Sequence, residues 1–240
     1  MEVKMKKEKK PLYKRVWFWL LILFVGLPIT IGVIVGIASS DEHPEEVVEK
    51  VETEKEETLG DQEYEEGNYQ KALDQYAKAI EAGTKDGIIW YRYAYSKKQT
   101  GQFDLAAYEK AYQLLKSSDP SNKYLGYARN VLIENSKKLD YRKAMFEEYE
   151  RGTRIVFEGE VFQVLQDDEF MLYTKKTEFF GYIDDLVYVV FDDPPKALKN
   201  DIVRIMALYQ GTQEYKTVLG AKNKVPRFSS DYCQLVSRAQ

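Results

Sequence analysis

The chain changes its hydrophobic period twice. Val16 to Ala38 is an uncharged run of 23 residues, residues 58 to 150 place apolar side chains at helical spacing, and residues 153 to 238 alternate apolar and polar positions as strands do. A helix over the first run, at about 1.5 Å per residue, would measure roughly 35 Å and cross a bilayer core of about 30 Å. The pattern therefore predicts a transmembrane helix over 16–38, a helical domain, and five strands: TRIVFEGEVFQVLQ, DEFMLYTK, DLVYVVF, DIVRIMALY and EYKTVLG. Between the run and the helices, DEHPEEVVEKVETEKEE has only Val47, Val48 and Val51 to bury. That is too little to offset the entropy of ordering the segment, so 39–57 reads as an acidic solvated stem.

Charge orients this plan. Seven Lys/Arg precede the uncharged run and none lies within it, so 1–15 is expected as a basic cytoplasmic tail with the bulk of the chain extracytoplasmic. The run exceeds the apolar core of a signal peptide, which favours a retained single-pass anchor at the cell membrane. Gly32 and Gly36 have the spacing through which two membrane helices approach closely, a route to a homodimer.

Within the helical region, LGDQEYEEGNYQKALDQYAKAI resembles a tetratricopeptide repeat, with Leu59, Gly60, Gly67, Ala72, Tyr76 and Ala79 on the repeat's spacing. Trp90, Ala94, Gly101 and Ala106 take the corresponding places of a second unit, and a third helical pair is expected over 122–150. The resemblance implies repeats over 58–150 whose first helices line a groove. Tyr64, Tyr91, Tyr95 and Lys98 then become candidates for contact with a protein or peptide partner.

The five expected strands over 153–238, with a PKALKN crossover and a mid-strand Gly159, resemble an OB-fold, a small Greek-key barrel. The predicted fold class is thus multi-domain: one transmembrane helix, an all-α repeat domain, then an all-β five-stranded barrel. Anchor, stem and barrel together resemble a group of Gram-positive surface proteins that includes the toxin-operon negative regulators of clostridia. By the OB-fold resemblance Tyr173, Phe179, Phe180 and Tyr182 lie in or beside the ligand face, where rings could stack on bases or sugars. The loop Gln166-Asp167-Asp168-Glu169 is acidic, and neither outer segment has the basic excess of a polynucleotide binder. A cell-wall polymer suits those rings better than nucleic acid.

Catalytic equipment is sparse. His43 is the only histidine and Cys233 the only cysteine, which removes histidine-dependent nucleophilic systems from both folded parts and leaves Cys233 without an activating partner. The pairs Asp167/Asp168, Asp184/Asp185 and Asp192/Asp193 are adjacent in sequence, so their side chains diverge on a strand or serve a turn. No catalytic residue, metal or cofactor is expected. The sequence reads as a non-enzymatic binding or scaffolding protein of the cell envelope, with an anti-sigma-type regulator and an envelope carbohydrate or anion sensor as alternatives.

Overall fold

The computed structural model describes residues 44–179, 181–216 and 221–239. The tail 1–15, the run 16–38 with Gly32 and Gly36, His43 and Phe180 lie outside the described residues. Six helices are described: α1 (Pro44–Glu65), α2 (Tyr69–Glu81), α3 (Gly87–Gln99), α4 (Leu105–Ser118), α5 (Lys123–Glu134) and α6 (Tyr141–Met145). The strands are β1 (Lys137–Lys138), β2 (Arg154–Gln166), β3 (Glu169–Thr177), β4 (Gly181–Phe191), β5 (Ile202–Lys216) and β6 (Lys222–Ser237).

This architecture corrects the expected fold class. Among the described residues no helix is long and apolar enough to cross a membrane. The longest, α1, has 22 residues, PEEVVEKVETEKEETLGDQEYE, and twelve of them are charged. Each charge placed mid-bilayer would cost about 3 kcal/mol. The single-pass description, with its cell-membrane localisation, is therefore withdrawn on this finding.

The expected separation of an all-α repeat domain from a five-stranded barrel is corrected as well. The sheet is mixed and six-stranded, in the order β1-β2-β3-β4-β6-β5, with β2 also pairing β5. Its sixth strand comes from the segment expected as a third helical pair. There Lys137 and Lys138 pair in parallel with Ile155 and Val156, and only the short α6 follows. The last strand is Lys222–Ser237, whereas the EYKTVLG segment expected in that place begins as the end of β5. Helices and strands also share a compact unit, so the tetratricopeptide and OB-fold labels are not carried over.

Two compact units are present. One comprises the described residues through Lys85 with Tyr95–Gln102, and the other Asp86–Ala94 with Phe103 onward. In the first, α1 turns into α2 through Gly67, whose φ of 79° is a left-handed conformation that glycine adopts without penalty. Ala72, Tyr76 and Ala79 form the buried face of α2. The Tyr76 hydroxyl donates to Asp61 Oδ1 at 2.7 Å, and its ring lies against Gly60. A Cβ at Gly60 would fall 2.5 Å from Tyr76 Cε1. Gly60→Ala is therefore expected to lower stability by about 1–3 kcal/mol, the cost of overpacking, despite a gain of up to about 1 kcal/mol in helix propensity. Thermal unfolding decides: a stabilised variant would mean that the ring yields freely.

In the second unit, β2 alternates as its sequence demands. Ile155, Phe157, Gly159 and Val161 are buried, while Arg154, Val156, Glu158 and Glu160 are half-exposed. The strand pairs with β5 from Arg154 to Glu160 and with β3 from Glu160 onward. The exchange occurs beside Gly159, where a Cβ would stand 2.9 Å from the Tyr173 carbonyl oxygen. The core continues through Leu172, Val187, Val189, Val203, Ile205 and Phe228. Polar contacts fix helices to strands: Arg154 Nη2 lies 2.6 Å from Glu109 Oε1, Lys116 Nζ 3.5 Å from Asp231 Oδ2, and the Arg129 guanidinium 4.4 Å from the Tyr232 ring centre.

Asp201, buried before β5, secures the chain end. Its carboxylate accepts hydrogen bonds from the backbone N–H groups of Leu198 and Ala239, both at 2.9 Å, and from Arg238 Nη1 at 3.1 Å. Donation by Leu198 and Ala239, with the Arg238 charge added, holds this carboxyl below the usual carboxylate range. A depressed folded pKa contributes stability that is present above the unfolded value, about 4, and is lost as pH falls through the folded value. Melting temperature is expected to drop on acidification below about pH 4, and Asp201→Asn to remove that share of the drop. Thermal unfolding across pH measures it; an unchanged acid limb in the variant would exclude Asp201 as the titrating group.

Candidate functional site

Tyr64 of α1, Tyr69 at the start of α2 and Tyr95 of α3 meet edge to face. Tyr64 to Tyr69 is 5.8 Å between ring centres, Tyr64 to Tyr95 is 5.8 Å, and Tyr69 to Tyr95 is 5.7 Å. All three are half-exposed, and Lys98, three residues beyond Tyr95, is exposed. Two of the tyrosines proposed for a groove thus come together, joined by Tyr69, which sequence spacing did not single out. Tyr91 is placed elsewhere. It is buried against Tyr108, Tyr124 and Tyr127, at 5.7, 5.0 and 6.1 Å, as part of the second unit's helical core.

The aromatic residues proposed on the sheet do not gather. Tyr173 is half-exposed with its ring 4.7 Å from Phe162, Phe179 stands 86% exposed in the turn after β3, and Tyr182 is buried. Of the three, Tyr182 lines a cavity. That cavity, of about 370 Å³, opens along β2 between its pairings with β1 and β3, and Tyr141 of α6 is part of its lining.

Its polar groups come from separate elements. Glu158 of β2 pairs with Arg204 of β5 at 2.7 Å. The Tyr182 phenol is raised above its ordinary pKa by burial and by Glu158, to which it hydrogen bonds. Tyr141 is pushed up to about 12 by burial, with Asp185 and Asp184 adding to the effect. Lys138 and Lys176 belong to the lining, and the Lys176 ammonium lies 5.8 Å from the Tyr182 ring centre.

Asp185 is the unusual member. It sits in β4 with φ at +56°, the left-handed region that Asp tolerates better than most residues. Its N–H donates to Asp184 Oδ1 at 2.9 Å and its carbonyl oxygen accepts from Thr174 Oγ1 at 2.7 Å. The pairing of β3 and β4 slips between Lys175 and Lys176 beside it, a bulge of the kind that re-aims side chains. Its carboxyl pKa is raised by burial and by Asp184, against the lowering effect of Lys175. Asp184 turns away from this role and pairs with Lys175 at 3.5 Å. Adjacency on a strand implied that the two side chains diverge, but not which of them meets the cavity.

Cys233 is half-buried in β6, and burial pushes its thiol up to about 12, so it is protonated at neutral pH. Among the described residues no group of His, Cys, Asp or Glu is arranged to hold a metal ion.

No protein-family model matches the chain, and no curated protein matches it. Among solved structures, a mitochondrial single-stranded DNA-binding protein of S. cerevisiae is similar at 9% identity and a TM-score of 0.25, covering 36% of this chain and 96% of that one. Its selenomethionine-labelled form gives 8% identity and 0.26, covering 38% and 100%. A protein described as an aspartyl-tRNA synthetase from Leishmania major Friedlin gives 9% identity and 0.31, covering 45% of this chain and 22% of that one. At these TM-scores the likenesses carry no argument about what this chain does.

Proposed function

We propose that the protein is a non-catalytic binding and scaffolding protein that captures a peptide segment of a partner through Tyr64, Tyr69 and Tyr95. The observation that carries this reading is the half-exposed cluster of three edge-to-face rings. Tyrosine supplies large contact area with a polar tip at low entropic cost, which is why it concentrates at interfaces. The exposed ammonium of Lys98 beside the cluster favours a segment that presents an apolar side chain next to a carboxylate.

Peptides selected on the intact protein by surface display supply the test. Tyr64→Ala and Tyr95→Ala are each expected to weaken their capture by about 1–3 kcal/mol, roughly five- to hundredfold in Kd, with helical content retained. Equal affinity for the double variant would overturn the reading.

A further inference from the structure

We propose that the cavity between β1, β3 and β4 is a binding site for a small zwitterion of the amino-acid class, its ammonium held by Asp185 and its carboxylate by Lys138 and Lys176. The site is independent of the tyrosine cluster, because every residue of its lining belongs to the second unit.

Size sets the first limit. A cavity of about 370 Å³ lies at the small end of ligand pockets. At about 30 Å³ for each water-sized group it accommodates about a dozen, the scale of one amino acid rather than of an oligomer.

Charge sets the second. Glu158 and Arg204 satisfy each other at 2.7 Å, and Lys175 and Asp184 pair at 3.5 Å outside the lining. Asp185, Lys138 and Lys176 are left without ion pairs among the described residues. The Asp185 carboxyl also accepts no hydrogen bond there, since its two bonds use the backbone N–H and carbonyl. That carboxyl is partly solvent-exposed, and an ammonium group would replace the water on it with a charge-assisted bond. An anion alone would meet Asp185, and a cation alone would meet the two lysines; a zwitterion satisfies both. Leu139, Val156 and the rings of Tyr141 and Tyr182 give the lining an apolar portion suited to a hydrocarbon side chain.

Backbone geometry points to the same residue. A left-handed conformation within a strand, held by Thr174 and Asp184 beside a bulge, is the kind of outlier from which a functional role can be inferred. It also makes the test clean, because Asn tolerates that φ as Asp does.

Titration calorimetry on the intact protein should compare phenylalanine with phenethylamine, which keeps only the ammonium, and with 3-phenylpropionate, which keeps only the carboxylate. Leucine with its matched amine and acid forms a second series. In at least one series the zwitterion should saturate one site and bind about ten- to hundredfold tighter than either analogue, the effect of one charge-assisted bond. Asp185→Asn should weaken the zwitterion by a similar factor and leave the acid unchanged. Lys138→Met with Lys176→Met should weaken the zwitterion and leave the amine unchanged. Both lysines are exposed, so this second variant keeps the test decisive if Asp185→Asn proves unstable. Absence of saturable binding at millimolar concentration would overturn the proposal. So would zwitterion affinity that ignores both variants, or tightest binding by the acid, which would indicate a peptide C-terminus.

Discussion

Tyr209→Ala is expected to lower the stability of the strand-rich unit by about 3–5 kcal/mol, the range for deleting a large buried aromatic side chain. Tyr209 is fully buried in β5, and its ring is 5.7 Å from those of both Tyr149 and Phe228. Its hydroxyl donates to the Ala144 carbonyl oxygen at 2.6 Å, joining the sheet to α6. The backbone closes the same junction: the N–H of Gly152 donates to the Tyr209 carbonyl at 2.8 Å, and the N–H of Tyr209 donates to the Thr153 carbonyl at 2.9 Å. Truncation removes the ring and leaves the Ala144 carbonyl without that donor. Tyr209→Phe isolates the second loss and is expected to cost about 1–3 kcal/mol. Urea unfolding of both variants gives the two numbers. A Phe variant as unstable as the Ala variant would assign the effect to the hydroxyl, and a loss below about 1 kcal/mol for Ala would show that the junction rests on the backbone.

Since α6 also brings Tyr141 to the cavity, that junction helps position the candidate ligand site. The dependence explains why the site was not legible in the sequence. Its lining is drawn from β1, α6, β2, β3, β4 and β5, and no spacing along the chain relates Lys138, Glu158, Asp185 and Arg204. Alternation did reveal β2, because Ile155, Phe157 and Val161 point into the core while the residues between them do not. It failed at β6. Val225, Phe228 and Ser230 are buried there, but register shifts break the alternation and Pro226 reads as a strand breaker. It failed also at β1, where two lysines qualify as a strand only through backbone pairing with β2. The part of α1 up to residue 57 was read as a stem for lack of apolar residues, although it continues the same helix. Its last turns, read as the start of the helical region, pack on Tyr76 through Gly60, a contact that depends on the absence of a side chain.

The tyrosines of α3 show the same limit on a smaller scale. Tyr91 and Tyr95 are four residues apart and share a helix face, so spacing alone assigns them one role. Their neighbours differ. Tyr91 is 8% exposed among Tyr108, Tyr124 and Tyr127, whereas Tyr95 is half-exposed with Tyr64 and Tyr69.

Tyr91→Ala is accordingly expected to destabilise the protein by about 3–5 kcal/mol, since it empties a packed aromatic site. Tyr95→Ala should cost only about 1–2 kcal/mol, the worth of one or two exposed edge-to-face contacts. Unfolding followed by far-ultraviolet circular dichroism gives both values, and the display-selected peptides report capture by whatever remains folded. The expected pattern is a crossing: Tyr91→Ala loses stability while its folded fraction still binds, and Tyr95→Ala stays folded while binding falls. Should Tyr95→Ala melt the protein as severely as Tyr91→Ala, the Tyr64, Tyr69 and Tyr95 rings are packing residues. The peptide-binding reading would then lose the one observation that carries it.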